Sequence, residues 1–286
     1  MADNRVNIGA AEASGVAKTK HIVMFSGGVG SWCAAKRVAE RNGAENVTLL
    51  FTDTLIEDPD LYRFIGEAAA NVGAPLLRIA EGRDPWQLFF DHRMMGGSRV
   101  DLCSRILKRE AADKWLLANC DPANTVIYLG IDWTESHRFD SGEGRGAKHR
   151  YARNGWACEA PMTEKPFLDK KQMLEWLDAE GIARPSLYGH GFAHNNCGGF
   201  CVKAGIGHFA RLLQTLPERY RHHEAMEAAF QAHVGKPNAI LRDRSGGTTT
   251  PLSLAELRKR LEQGHQPDMF DIGGCGCFSE AVDEAA

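Results

Sequence analysis

The sequence of 286 residues lacks long apolar runs, since no stretch approaches the roughly 20 apolar residues that a membrane-spanning helix needs. The first 20 residues also lack the charged-then-apolar pattern of a signal peptide, so we expect residues 1–20 to form a flexible leader. A net charge of only −3 gives no general sign of nucleic-acid binding, although a local basic patch is compatible with it. These absences predict a cytoplasmic globular protein with no membrane partner.

The chain also lacks the composition of a disulfide scaffold. Its eight cysteines are spread over a length that can bury a large core without cross-links, and a cytosolic protein keeps its thiols reduced. Cys33, Cys120 and Cys158 stand alone and are interpreted as structural. Cys103 stands alone as well, and we consider it also as a redox or sulfur-carrying nucleophile.

Two close cysteine pairs, Cys197/Cys201 and Cys275/Cys277, are flanked by glycines that let backbone N–H groups point at a metal or at sulfide. Four thiolates in a tetrahedral arrangement bind Zn²⁺ or an iron–sulfur cluster. One predicted ligand set consists of the two pairs. The alternative set combines Cys103, Cys197 and Cys201 with one C-terminal cysteine around a [4Fe–4S] cluster. A third interpretation is that all of them are ordinary buried small residues.

The order of the predicted elements indicates an α/β fold. Short apolar runs at residues 21–25, 47–52, 75–79 and 125–129 predict strands, and helical patterns at 32–41, 59–72 and 108–118 lie between them. This alternation predicts a mainly parallel twisted sheet with helices on both faces. Because ligands of such sheets lie beyond the carboxyl ends of the strands, the segments 26–31, 53–54 and 130–138 should converge on one crevice.

The second half of the chain predicts a different organisation. Residues 141–154 are glycine-rich and basic and predict a mobile loop, whereas 169–180, 207–234 and 253–263 predict helices. Residues 241–251 predict a turn-rich break between the last two. We place a boundary near residue 185, between a nucleotide-binding domain over 21–185 and a helical, cysteine-bearing region over 186–286.

The segment Ser26–Ser31 (SGGVGS) follows the first strand and opens the first helix. It lacks the lysine of a Walker A loop, and Cys33 stands where a dinucleotide fingerprint has its third glycine. Glycines let the backbone approach an anion, and a helix N-terminus with serine hydroxyls holds it, so the loop suits pyrophosphate. We expect Ser26, Gly27, Gly28, Gly30 and Ser31 to contact it; a simple tight turn with a serine cap is the alternative.

Other polar residues follow the remaining strands. Asp53 and Thr54 would meet a ribose or Mg²⁺, or would only cap the next turn. The group Glu135, Ser136 and Arg138 would pair its arginine with phosphate or sulfate, or would only begin a solvated helix. Asn195 and Asn196 would line the substrate entrance. Basic residues within 145–153 and 203–244 form either a nucleic-acid footprint or an ordinary solvated surface, and His222 and His223 are expected on a solvated helix face.

Several stretches together resemble the adenine-nucleotide alpha-hydrolase (PP-loop ATP pyrophosphatase) superfamily. SGGVGS resembles its SGGxDS loop, and the residues 51–65, FTDTLIEDPDLYRFI, resemble the second-strand motif of the phosphoadenosine-phosphosulfate (PAPS) reductase branch and its relatives in DNA phosphorothioation. Four further segments also resemble motifs of this branch, and they occur in the same order along the chain. They are Cys103–Lys108, Gly130–Arg138, 161–177 and 187–191. The resemblance covers roughly residues 20–205.

This resemblance implies an ATP or PAPS-type adenine nucleotide and Mg²⁺, with Gly130 close to the nucleotide and Lys108 reaching its anion. It also favours the cluster that includes Cys103. The chain departs from the family at Gly30, where the usual loop carries a metal-binding aspartate. Asp53 or Asp132 would have to supply the missing ligand, since Mg²⁺ needs few carboxylates.

The predicted function is an ATP-dependent sulfurtransferase that adenylates an acceptor, with Cys103, Lys108, Asp132 and Arg138 as catalytic residues. Its partners would be an adenine nucleotide, a sulfur donor such as a cysteine desulfurase, and a tRNA or DNA acceptor. One alternative is a PAPS or adenylyl-sulfate reductase served by a thioredoxin-type reductant. Another is a non-catalytic nucleotide-binding subunit of a modification or phage-defence complex, an alternative that Gly30 favours.

Overall fold

The computed structural model describes residues 18–97, 100, 102–142, 144–244, 247–266, 268, 271 and 273. Its centre is a five-stranded sheet in which every pairing is parallel. The strands are β1 (Lys20–Met24), β2 (Val47–Asp53), β3 (Leu76–Ala80), β4 (Thr125–Leu129) and β5 (Ala157–Glu159). Their spatial order is β3-β2-β1-β4-β5. The predicted α/β class is therefore confirmed.

The strand register brings the ends of the central strands together. Met24 at the end of β1 lies opposite Leu50 of β2 and Leu129 of β4. From β1 the chain first builds outward through β2 and β3, and only later returns to place β4 on the other side of β1. A ligand crevice of a parallel sheet opens at such a reversal of strand order, here beyond the carboxyl ends of β1 and β4.

Helices cover both faces of the sheet. They are α1 (Val29–Asn42), α2 (Pro59–Val72), α3 (Pro85–His92), α4 (Ala111–Asn119), α5 (Ser136–Phe139), α6 (Ala147–Arg153), α7 (Lys170–Ala179), α8 (Ser186–Gly189), α9 (Ile206–Thr215), α10 (Pro217–Val234) and α11 (Leu254–Glu262). One apolar cluster joins the sheet to α1, α2 and α7, and a second joins its other face to α4 and α6. None of the helices in the described part of the chain has the length and apolar character to cross a membrane.

Three local expectations are corrected. The segment predicted as a mobile loop contains α6, because Ala147 and Tyr151 are four residues apart and bury the same helix face. The helix predicted over 207–234 is two helices, since Pro217 cannot continue α9 and instead begins α10. The predicted turn-rich break contains an antiparallel pair, β6 (Leu241–Asp243) and β7 (Thr250–Leu252).

The C-terminal helices form a third apolar cluster together with an earlier part of the chain. Trp86 and Phe89 of α3 pack there with Phe200, Phe209 and Phe230. A π-helical segment, Ser104–Glu110, leads from this cluster into α4. The predicted boundary near residue 185 stays a prediction, but the core beyond it is shared with residues 86–107.

Candidate functional site

A cavity of about 370 Å³ opens at the carboxyl ends of β1 and β4. The glycine loop and the turn after β4 form one side, and α7 with residues 188–196 forms the other. The lining residues are Met24, Ser26, Gly28, Gly30, Ser31, Leu129, Gly130, Ile131, Asp132, Thr134, Glu135, Arg138, Lys170, Met173, Tyr188, Ala193, His194, Asn195 and Asn196. The cavity therefore lies where the reversal of strand order predicts a ligand crevice.

The glycine loop presents the N-terminus of α1 to this cavity. Gly28 is the N-cap residue and has no side chain with which to cap the helix. Its carbonyl accepts hydrogen bonds from the Ser31 backbone N–H (3.1 Å) and from the Ser31 hydroxyl (2.8 Å), which close the first turn. Gly27 adopts a left-handed φ of +78°, which favours glycine. The loop can thus offer helix N–H groups to an anion.

The turn after β4 packs directly on this loop. A Cβ added to Gly30 would lie 2.9 Å from the Gly130 carbonyl oxygen, and one added to Gly130 would lie 2.6 Å from the Ser31 Cα. Backbone contacts therefore leave no room for a side chain at either position. An aspartate at position 30 would likewise press its Cβ on the backbone of residue 130.

A lysine and a tyrosine stand above the start of α1. The Tyr188 hydroxyl oxygen accepts a hydrogen bond from the Val29 backbone N–H (3.2 Å) and one from the Lys170 ammonium (3.1 Å). The ammonium also lies 4.3 Å from the centre of the Tyr188 ring. Lys170, the first residue of α7, is exposed and brings a positive charge to the cavity wall.

The turn after β4 contributes carboxylates and an arginine. Asp132 accepts hydrogen bonds from the Thr134 backbone N–H (2.8 Å) and hydroxyl (2.6 Å), so it caps the short helix that follows. Arg138 forms an ion pair with Glu135 at 2.6 Å, and both side chains line the cavity. The wall thus offers a carboxylate for a cation and a guanidinium for an anion.

The opposite wall carries His194 and Asn195. Burial, helped by the charges of Lys170 and Arg138, lowers the pKa of His194 to about 4, so this imidazole is neutral at pH 7. The Asn195 amide donates to the Gly27 carbonyl at 2.9 Å and ties this wall to the glycine loop. Its Oδ1 is buried and has no hydrogen-bond partner among the described residues.

Asp53 and Thr54 lie outside the cavity lining. Asp53 is completely buried, forms an ion pair with Arg78 at 2.5 Å, and accepts hydrogen bonds from the Tyr62 hydroxyl (3.0 Å) and the Leu55 N–H (2.7 Å). Burial and this carboxylate raise the pKa of the Tyr62 phenol to about 12. These contacts show a structural role for Asp53, and its predicted contact with ribose or Mg²⁺ stays a prediction.

A second polar network joins the end of β2 to the glycine-rich turn at 197–199. Glu57 accepts hydrogen bonds from the Thr54 hydroxyl (2.9 Å) and from the Cys197 N–H. The Lys108 ammonium lies 4.0 Å from the Cys197 Sγ. Burial raises the pKa of the Glu57 carboxyl, and the charge of Lys108 opposes this shift. Lys108 therefore serves a buried network beside the cavity rather than the cavity wall.

The predicted metal ligands are only partly covered by the structure. Cys103, Cys197 and Cys201 lie among the described residues, and Cys275 and Cys277 lie outside them. Within the described ranges, no group of three or more His, Cys, Asp or Glu side chains is arranged to hold a metal ion. The described thiols alone thus do not fit a zinc or iron–sulfur site, and the four-cysteine sets stay predictions.

The structure brings most of the predicted ligand-binding residues into the lining of one cavity. Those that line the cavity are Ser26, Gly28, Gly30, Ser31, Gly130, Asp132, Glu135, Arg138, Asn195 and Asn196. Gly27 is the sequence neighbour of two lining residues but is not itself in the lining. Other predicted site residues also lie outside the lining; they are Ser136, Cys103, Lys108 and Cys201. Sequence reasoning missed Lys170 and His194, and it noted Tyr188 only as part of the motif at 187–191. The motif at 187–191 was the sequence signal that could have pointed to this wall, because it directly precedes the lining residues 193–196.

No protein-family profile matches the chain, and no curated protein matches it. Among solved structures, it is similar to phosphoadenylyl-sulfate (PAPS) reductase from Candida auris in a phosphate complex, with 15% identity, a TM-score of 0.41, and coverage of 60% of this chain and 77% of that one. It is also similar to NH₃-dependent NAD synthetase from Campylobacter jejuni in complex with a nitrate ion, with 15% identity, a TM-score of 0.39, and coverage of 89% and 90%.

Proposed function

We propose that the cavity binds ATP and that the protein adenylates an acceptor for sulfur transfer to a nucleic acid. The observation that carries the proposal is the convergence of the glycine loop with Lys170, Arg138 and Asp132 on one cavity at the reversal of strand order. Helix N–H groups and two cationic side chains suit a polyphosphate, and the apolar part of the wall suits a base.

Asp132 is the residue that fits Mg²⁺ in place of the aspartate missing from position 30. Its carboxylate lines the cavity, whereas Asp53 is already engaged by Arg78 and Tyr62. Asn195 lines the opposite wall, and its buried Oδ1, which has no hydrogen-bond partner in the described part of the chain, is a second hard oxygen at the cavity. Bound Mg²⁺ would neutralise phosphate charge, and oxygen ligands of this kind suit it.

In this proposal, the chain's own residues act by positioning and charge stabilisation. The loop N–H groups and Lys170 hold the β- and γ-phosphates, and Arg138 faces the negative charge that develops at the α-phosphate. An acceptor oxygen forms a bond to the α-phosphorus, the bond to the bridging oxygen breaks, and pyrophosphate leaves with the electron pair. A sulfur nucleophile then displaces AMP from the acceptor. We assign no step to a metal cluster.

To test the proposal, the full chain is incubated with α-labelled ATP, Mg²⁺, a cysteine desulfurase with cysteine, and tRNA or DNA. Acceptor-dependent formation of AMP and pyrophosphate supports the proposal. Asp132→Asn should reduce the rate at least tenfold, about the loss of one charge-assisted contact. Asp121→Asn is the matched control, since Asp121 caps a short helix in the same way, accepting from the Ala123 N–H at 3.0 Å, but lies outside the cavity.

A parallel assay with PAPS and a thioredoxin-type reductant separates the alternatives. Release of sulfite from PAPS, and no reaction of ATP, would favour a reductase. Binding of ATP without turnover under any condition would favour a non-catalytic nucleotide-binding subunit, for which the backbone contact at Gly30 is a specific observation. Equal rates for the Asp132→Asn and Asp121→Asn variants would contradict the role given to Asp132.

A further inference from the structure

The Tyr188 hydroxyl lies at the N-terminus of α1, on the wall of the cavity. Two donors converge on it, the Val29 N–H at the start of α1 (3.2 Å) and the Lys170 ammonium (3.1 Å). A main-chain N–H of a helix N-terminus and an ammonium are the donors that a phosphate oxygen would take. A neutral phenol is a weaker acceptor than a phosphate oxygen, so it satisfies these donors without matching their charge.

We propose that Val29 N–H and Lys170 form the terminal-phosphate subsite of the cavity, and that the Tyr188 hydroxyl fills this subsite until a pyrophosphate group displaces it. The inference rests on the proposed function, which it deepens by assigning the end of the nucleotide that this wall binds. Lys170 is the residue that the chain uses here, although no lysine lies within the glycine loop itself.

Three further observations agree with a subsite at this place. Lys170 is exposed on the cavity wall, so its ammonium is available to a ligand once the phenol moves. Tyr188 is only partly buried, and its oxygen lies 3.5 Å from where a Cβ of Gly28 would be, directly over the glycine loop. The buried Asn195 Oδ1, unpaired within the described residues, adds a polar oxygen to the same wall, where it suits the cation that accompanies pyrophosphate.

The alternative is that the Tyr188 hydroxyl is itself a ligand-binding group. The two possibilities predict opposite effects of the same substitution. Tyr188→Phe retains the ring beside Lys170 and removes only the oxygen. If the oxygen fills the subsite, its removal frees two donors and tightens pyrophosphate binding about 3- to 10-fold, the value of about one hydrogen bond. If it binds the ligand, its removal weakens binding by a similar factor.

The experiment is calorimetric titration of the full chain with inorganic phosphate, pyrophosphate and ATP, each with Mg²⁺. We expect Lys170→Met to weaken pyrophosphate and ATP binding about 10- to 100-fold, as for the loss of a charge-assisted hydrogen bond. Lys171→Met is the matched control, because Lys171 is the next residue of α7 but its side chain is 84% exposed and pairs with Glu175. Tyr188→Phe should tighten binding of both ligands.

The possible results distinguish failure of the subsite from failure of the proposed function. ATP binding by the wild type with no effect of Lys170→Met, or with equal effects of Lys170→Met and Lys171→Met, overturns the subsite and leaves the proposed function standing. Weaker binding by Tyr188→Phe overturns displacement of the hydroxyl. A wild type that binds neither ATP nor pyrophosphate overturns the proposed function and the subsite together. Binding of phosphate but not pyrophosphate would show a single-anion site and contradict the subsite as proposed.

Discussion

Replacing Gly130 with alanine tests how closely the turn after β4 packs on the glycine loop. The added Cβ would lie 2.6 Å from the Ser31 Cα and 2.7 Å from the Ser31 N. Ordinary contacts begin near 3.4 Å, so the two segments would have to separate by roughly 0.8 Å, and neither is a side chain that could rotate away. We expect Gly130→Ala to lower the free energy of unfolding by about 1–3 kcal/mol. Binding of pyrophosphate should weaken too, because the N–H groups of the loop move with Ser31.

Two glycines provide the comparison. Gly30→Ala places a Cβ 2.9 Å from one carbonyl oxygen, that of Gly130, so its cost should be smaller. Gly66 is exposed in α2 and an added Cβ there meets nothing within 4 Å, so Gly66→Ala should raise stability by up to about 1 kcal/mol. Urea unfolding and titration with pyrophosphate measure both effects. A Gly130→Ala variant as stable as the wild type, with unchanged affinity, would refute the packing argument.

Three other substitutions probe the wall, the core and the network behind the cavity. Asp53→Asn should lower the free energy of unfolding by about 1–3 kcal/mol, because it removes the charge of a buried carboxylate that pairs with the half-exposed Arg78 and accepts a hydrogen bond from Tyr62. Unchanged pyrophosphate affinity in calorimetry would separate this structural role from the predicted nucleotide contact. Burial lowers the pKa of His223 to about 3, so the unfolded chain takes up the proton first below pH 6.5 and stability is lost on acidification, by about 2 kcal/mol at pH 5. Urea unfolding of His223→Gln at pH 7 and pH 5 should show a smaller loss than the wild type, whereas a variant of the exposed neighbour, His222→Gln, should retain the full loss; equal losses in both would be contrary to this reasoning. Arg138→Met should weaken ATP binding about 10-fold in titration, while Arg184→Met, which breaks a surface pair with Asp178, should not, and identical affinities of the two variants would remove Arg138 from the site.

The sheet and its first loop were predictable because their signals are local. Residues 47–52 and 125–129 are short apolar runs and became β2 and β4 with almost the predicted bounds. Pro59–Val72 became α2 with the predicted bounds, since Asp58 caps it and Pro59 stands in its first turn. Once the strands were placed in a parallel sheet, the convergence of the glycine loop and the segment after β4 followed from topology.

The opposite wall of the cavity was not predictable from local patterns. Lys170 begins a helix whose sequence is typical of a solvated, amphipathic helix. It belongs to the site only because it contacts Tyr188, which in turn contacts Val29. The contact between Tyr188 and Val29 joins residues that lie 159 positions apart in the sequence. Asn195 was expected near the site, but its tie to Gly27, 168 residues away, is a property of the folded chain.

His223 shows the same limit in the core. The pair His222–His223 on a long polar helix predicts a solvated face, and this prediction is wrong for His223. Its ring stacks on Phe200 at 3.7 Å and accepts a hydrogen bond from the Trp86 indole at 3.1 Å. Because those partners come from distant segments of the shared core, the helical pattern of α10 alone carries no sign of the contact.

A titration of the full chain with Mg²⁺ and ATP, followed by competition with pyrophosphate, tests whether the cavity binds the nucleotide through its phosphates. We expect one ATP per chain, displacement by pyrophosphate, and weaker binding of both by Lys170→Met but not by Lys171→Met. ATP binding that pyrophosphate does not compete with, or that Lys170→Met leaves intact, would contradict binding of the phosphates at the start of α1. Absence of ATP binding would contradict the proposed function itself.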